Sequence, residues 1–209
     1  MARSAFYLHF ENAGKHYTSD SNLIDRLWND VGEHYSEPSR HYHTLQHLDA
    51  LTNELAGVRK NIADWEITMF AVAYHDIIYN PVKNDNEEKS AEYAARALSG
   101  LLDGESLEKC RHMIIATKNH ELKNDADVNY FIDSDLSIFG AAKGSYQVYT
   151  RQIRKEYEFL SDSIYNQGRQ KVLKHFLAMN QIYKTDYFFN RYEAQARTNL
   201  NTELEELLN

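Results

Sequence analysis

A single cysteine, Cys110, stands in 209 residues, so no disulfide forms within the chain; such usage fits a reducing compartment. Only 2 prolines and 8 glycines interrupt the sequence, and runs of alternating Val, Ile and Thr are scarce. Little supports strands, and an all-α fold is predicted. No stretch of about 18 consecutive apolar residues occurs, so no membrane-spanning helix and no membrane partner are expected. Basic residues are outnumbered, 23 Lys and Arg against 31 Asp and Glu, for a formal charge of −8. A protein that grips a polyanion backbone normally carries a basic surface, so no long nucleic acid is expected as partner. No signal-peptide pattern opens the chain, and with the lone cysteine this leads to an expected cytoplasmic location.

What is present is enough to bury a core: 43% of residues are hydrophobic. No repeat, low-complexity tract or Ser/Gly-rich linker divides the sequence. One domain over residues 1–209 is expected, with C-terminal helices (about 145–209) packing on the core. Leu23, Leu27 and Val31 recur at helical spacing and begin a first helix, broken at Glu37-Pro38-Ser39. A second runs from about Thr44 with Leu48, Leu51, Leu55 and Val58 on one stripe. A third starts near Asp64 and is ended by Asn80-Pro81. Further helices are predicted over 87–98, from about Ser106 (a cap), 128–139, 145–160, 170–183 and 192–208, with Gly100 to Gly104 a turn.

Three polar islands interrupt these apolar patterns. Arg40 to Leu48 reads R-H-Y-H-T-L-Q-H-L; His75-Asp76 follows the apolar run Ile67 to Tyr74; Asp133-Ser134-Asp135 lies between Phe131-Ile132 and Leu136. Imidazoles and carboxylates in such settings cost free energy unless something binds them, and a divalent metal satisfies both. On a helix, His43 and His47 fall about 40° apart, on one face. Asp133 and Asp135 point nearly opposite ways, so one of the two faces a shared site. Plainer roles fit each island too: a surface pair of histidines, a buried His–Asp hydrogen bond without metal, aspartates serving a cap or turn.

The order His47, then His75-Asp76 after 28 residues, then a carboxylate on a later helix resembles the HD-domain superfamily of metal-dependent hydrolases. The local strings are similar to its branch of predicted metal-dependent HD phosphohydrolases: R-x-Y-H-T-L-x-H, H-D-I-I-Y-N-P with D-N-E-E-K-S-A, A-T-K-N-H, D-S-D-L-S-I-F-G, R-K-E-Y (154–157) and A-R-T-N-L (196–200). These cover nearly the whole chain. The resemblance implies an HD-domain helical bundle with a metal site at its centre, held by His47, His75, Asp76 and Asp135, with Asp133 the fallback. It implies His43 as general acid, since imidazole titrates near neutrality, and places Glu87 (or Glu88) and His120 beside the reacting groups. A first-turn acid favoured by the helix dipole explains Glu87 equally well. The implied cofactor is a divalent ion, with Mn, Mg, Fe, Co and Ni all compatible with such N/O ligands. The implied activity is hydrolysis of a phosphate mono- or diester by metal-activated water, on a small phosphorylated substrate, a nucleotide being one candidate. Lys118, Arg154, Tyr157 and Arg169 are candidate contacts to its anion; Tyr42 and Tyr79 flank the motifs. Two other readings compete. A di-iron HD-fold oxygenase needs additional histidines between the His-Asp pair and the last Asp, where only His112 and His120 fall. In a non-catalytic module, the helices bind a nucleotide or protein.

Overall fold

Ten α-helices, two short 3-10 turns and no strand make up residues 4–208, the residues described by the computed structural model. The predicted all-α class is what is found. The first helix lies earlier than Leu23: α1 (Ala5–Tyr17) is capped by Ser4 and buries Phe6, Phe10 and Ala13 at helical spacing. Next come α2 (Ser21–His34), α3 (Leu45–Ala56) and α4 (Trp65–Tyr74). Helix α4 is buried on every side, from Trp65 to Tyr74 apart from Glu66, because α1, α3, α5 (Asn86–Leu98) and α6 (Gly104–Ala116) surround it. That position explains why its sequence has no polar stripe. Around it, Phe10 meets Phe70 edge-on at 5.7 Å and Trp28 at 5.7 Å; burying each such ring stabilises the fold by about 1.5–3 kcal/mol.

Several boundaries differ from the sequence expectations. Helix α4 stops at Tyr74, so His75-Asp76 forms the turn beyond it and the chain is not helical up to Asn80. Helix α6 begins at Gly104, inside the expected turn. Its cap is Asp103, whose carboxylate accepts the Ser106 N–H at 2.8 Å, not Ser106 itself. Helix α7 (Ala126–Asp135) tightens into a 3-10 turn over Leu136–Gly140 instead of continuing to Phe139. Helices α8 (Lys143–Glu156), α9 (Asp162–Ala178) and α10 (Asp186–Leu208) complete the chain.

Helix α10 pins the 3-10 turn that follows Asp135. Asn199 Nδ2 donates to Phe139 O and Ala141 O, both at 2.8 Å, and the Tyr183 hydroxyl, just ahead of α10, donates to Leu136 O at 2.8 Å. The approach is so close that a Cβ on Gly140 would stand 2.5 Å from Tyr192 Cβ and 2.9 Å from its Cα. Helices α9 and α10 are joined by a buried ion pair: Arg169 Nε donates to Glu203 Oε1 at 2.7 Å and Nη2 to Oε2 at 3.0 Å. No helix among the described residues is long and apolar enough to cross a membrane.

Candidate metal centre

Three separate elements bring the polar islands together. Helix α3 carries His47 in its first turn, the turn after α4 carries His75 and Asp76, and the last residue of α7 is Asp135. Ligand atoms of His47, His75 and Asp135 all lie within 4.8 Å of one another. His47 Nε2 is 3.2 Å from His75 Nε2 and 3.2 Å from Asp135 Oδ1; Asp76 Oδ2 is 3.0 Å from His75 Nε2 and 3.8 Å from His47 Nε2. Both imidazoles are buried, while the Asp76 and Asp135 side chains keep 20% and 15% of their surface exposed. The cluster is therefore reachable from its carboxylate side.

The donor set fits a cation. His75 Nδ1 lies 3.0 Å from Val72 O; a carbonyl only accepts, so Nδ1 carries the hydrogen. The Nε2 lone pair of a neutral His75 then faces a carboxylate oxygen and another imidazole nitrogen. Such an arrangement is repulsive unless a proton or a metal ion stands among them. Ligand atoms at about 2.1 Å from one ion stand about 3–3.4 Å from each other; three of the separations, 3.0–3.2 Å, lie in that range, while His47–Asp76 at 3.8 Å and His75–Asp135 at 3.7 Å are longer. The other face of His47 is unfinished: its buried Nδ1 has no hydrogen-bond partner, where a metal-bound imidazole usually donates.

Electrostatics agree. Burial disfavours charge on His75, but the Asp76 carboxylate outweighs it and raises the pKa to about 9. The same pairing, against the pull of burial, depresses Asp76 below its ordinary range; hydrogen bonds from His120 and His47 do so for Asp135. For His47, burial prevails and the pKa falls.

Of the other expected residues, His43 lies in the loop before α3, not on the helix, yet its ring stands 5.6 Å from that of His47 and its Nε2 3.9 Å from Asp76 Oδ2. Burial lowers its pKa, and the Glu156 hydrogen bond with the charge of Asp76 reverses this to a net rise. His120 reaches the cluster from beyond α6, with Nε2 2.9 Å from Asp135 Oδ2. Its φ of 49° is the single positive value for a non-glycine residue among those described; this left-handed conformation costs about 1 kcal/mol. Glu87 stands at the start of α5, where burial raises its pKa and the charge of Asp76 adds to the rise. Glu88 pairs with Lys118, whose Nζ also donates to Asn84 O at 2.8 Å, so that lysine is already engaged. Arg154 binds Asp162 and the carbonyls of Tyr157 and Leu160, and Arg169 is held by Glu203; both tie the fold. Asp133 faces away from the histidines and accepts from the N–H of Lys184 and Thr185 and the Thr185 hydroxyl, just ahead of α10.

Two residues escaped sequence reasoning. Buried Arg40 donates to Asp76 O at 2.7 Å and Ile77 O at 2.9 Å, so it holds the turn bearing the His-Asp pair. Buried Glu156 accepts from the backbone N–H of His41, Tyr42 and His43 and lies 2.7 Å from His43 Nδ1. Both sat inside strings already singled out, R-x-Y-H and R-K-E-Y, but their partners are distant in sequence. A cleft of about 420 Å³ borders His47, lined also by Tyr42, Asn53, Ser137, Gln152 and Tyr192, a size usual for small-molecule sites. Compared with protein-family models, curated proteins and solved structures, the chain matches none.

Proposed function

We propose that this chain is a metal-dependent phosphohydrolase of the HD-domain kind, acting on a phosphate mono- or diester. The observation that carries this reading is the convergence of His47, His75, Asp76 and Asp135, from three elements, on one small volume. A divalent cation held there would supply Lewis acidity, lowering the pKa of water and offsetting charge on phosphoryl oxygens. The chain's own contribution is orientation and proton transfer. His43, with Nε2 turned toward Asp76 and Nδ1 held by Glu156, is placed to give a proton to the leaving oxygen. Arg40 keeps the His75-Asp76 turn in place, and His120 steadies Asp135 through its second oxygen.

The test is metal-loaded protein assayed on generic phosphoesters and nucleotides, with the bound ion identified by anomalous scattering. His75→Ala and Asp76→Ala each abolish turnover and metal binding on this reading; unchanged activity in both sinks it. One observation favours a second reading, a two-metal oxygenase: Asp135 faces imidazoles with both oxygens, His47 on one side and His120 on the other. Against it, His112, the other histidine of that interval, is exposed. Two irons per chain with oxygen consumption would replace the hydrolase reading.

A further inference from the structure

Glu156 is a buried carboxylate with five hydrogen-bonded partners, and it is none of the candidate ligands. A carboxylate offers about four lone-pair sites, so it is saturated. Its Oε1 accepts three successive backbone N–H groups, at 2.8, 2.7 and 3.0 Å, which sets the path of the chain through His43. Its Oε2 accepts the Tyr79 hydroxyl at 2.9 Å and His43 Nδ1 at 2.7 Å. The Tyr79 ring lies against the His43 ring, centroids 4.3 Å apart and planes 33° apart. The His43 imidazole is thereby held at its backbone, at Nδ1 and on one face. What remains is Nε2, turned toward Asp76 at the candidate centre.

A proton donor fixed this firmly matters for one class of leaving group. An alkoxide departs poorly unless protonated, whereas the phosphate expelled from an anhydride is already a stable anion. Resting on the phosphohydrolase reading above, we propose that Glu156 is the positioning residue of His43, and that this dyad suits the site to phosphate esters of alcohols rather than to phosphoanhydrides. In the step implied, water oxygen bonds to phosphorus. The bond from phosphorus to the alcohol oxygen breaks, with its electron pair going to that oxygen. His43 Nε2 delivers its proton there, so the alcohol leaves neutral, and His43 regains a proton from solvent, which takes up the one lost by water.

The experiment uses the full chain loaded with Mn²⁺ and pairs of esters that differ only in leaving group, 4-nitrophenyl against ethyl, as mono- and diesters, with inorganic pyrophosphate as the anhydride. The wild type should cleave the esters in preference to pyrophosphate. Glu156→Gln should lower kcat on the ethyl ester by about 10²–10³-fold, within the 10²–10⁴-fold typical of general acid catalysis, and on the 4-nitrophenyl ester by less than about tenfold, with KM little changed. Tyr79→Phe, which leaves the backbone bonds of Glu156 intact, should shift the same ratio in the same direction by a smaller amount, and serves if the Gln variant does not fold. Nitrogen-15 NMR should show His43 protonated at Nδ1 in the wild type. Equal losses on both esters, or an unprotonated Nδ1, overturn the positioning role while leaving the hydrolase reading intact. Preference for pyrophosphate overturns the substrate class. A wild type inactive on every ester with any divalent metal overturns the hydrolase reading and the inference with it.

Discussion

In the metal-free protein His75 carries a proton that a cation must displace, which gives metal affinity a definite dependence on pH. Burial alone would keep the imidazole neutral, but Asp76 stands 3.0 Å from its Nε2 and raises the pKa from 6.5 to about 9. Because Nδ1–H is committed to Val72 O, the proton in competition is the one on Nε2. Across that window each pH unit weakens the competition tenfold, about 1.4 kcal/mol. Affinity for Mn²⁺ should therefore rise by about 150-fold from pH 6.5 to 9 and level off about 300-fold up, above that pH. Calorimetry in buffers of different protonation enthalpy should register about one proton released per ion near pH 7. Stability of the metal-free chain runs the other way. A raised histidine pKa stabilises the fold fully below pH 6.5, by about 3 kcal/mol as an order of magnitude, and this is lost as pH rises through about 9. The metal-loaded chain should lack that decline, and His75→Ala should remove it. An affinity flat from pH 6.5 to 8.5 with no proton release would refute the reasoning, because the His75–Asp76 geometry would then not govern the site.

The two aspartates of the D-S-D island should behave oppositely. Asp133→Ala, which strands two backbone N–H groups and a hydroxyl, should destabilise the fold by about 2–3 kcal/mol in urea titrations while the chain still binds metal; Asp135→Ala should fold and lose the metal. Arg40→Lys cannot serve the carbonyls of Asp76 and Ile77 together, so it should cost about 1–3 kcal/mol and weaken metal affinity about 10–100-fold; unchanged affinity would deny Arg40 its hold on the turn. Breaking the Arg169–Glu203 pair with Arg169→Met alone leaves a buried carboxylate unpaired and should cost about 3–5 kcal/mol, whereas Arg169→Met with Glu203→Leu should recover most of it. A double variant no more stable than the single one would mean that the pair does more than balance its own burial.

Much of the molecule is written in local pattern, because a helix needs only its own periodicity and caps. The scarcity of strand patterns, prolines and glycines pointed to an all-helical chain, and the mostly apolar run from Ile67 to Tyr74 lies in α4, which the structure buries on every side. The residue types of the candidate centre were legible for the same reason: His47, His75, Asp76 and Asp135 are polar groups where the local pattern calls for apolar ones. Helix α1 went unread although Phe6, Phe10 and Ala13 carry its spacing. The ends of α4 and α7 were misplaced too, because tertiary partners set them. Arg40 takes the carbonyls freed where α4 stops, and α10 clamps the turn where α7 tightens.

Other features belong to the tertiary structure alone. Two residues apart in sequence, Asp133 and Asp135 look equivalent; packing turns one to the start of α10 and the other to the histidines. Glu156 lies 113 residues from His43, and His120 meets Asp135 from a left-handed backbone position. A charge pair of that sequence separation leaves no periodic trace, since its energy depends on distance and burial, which exist only once the helices have packed.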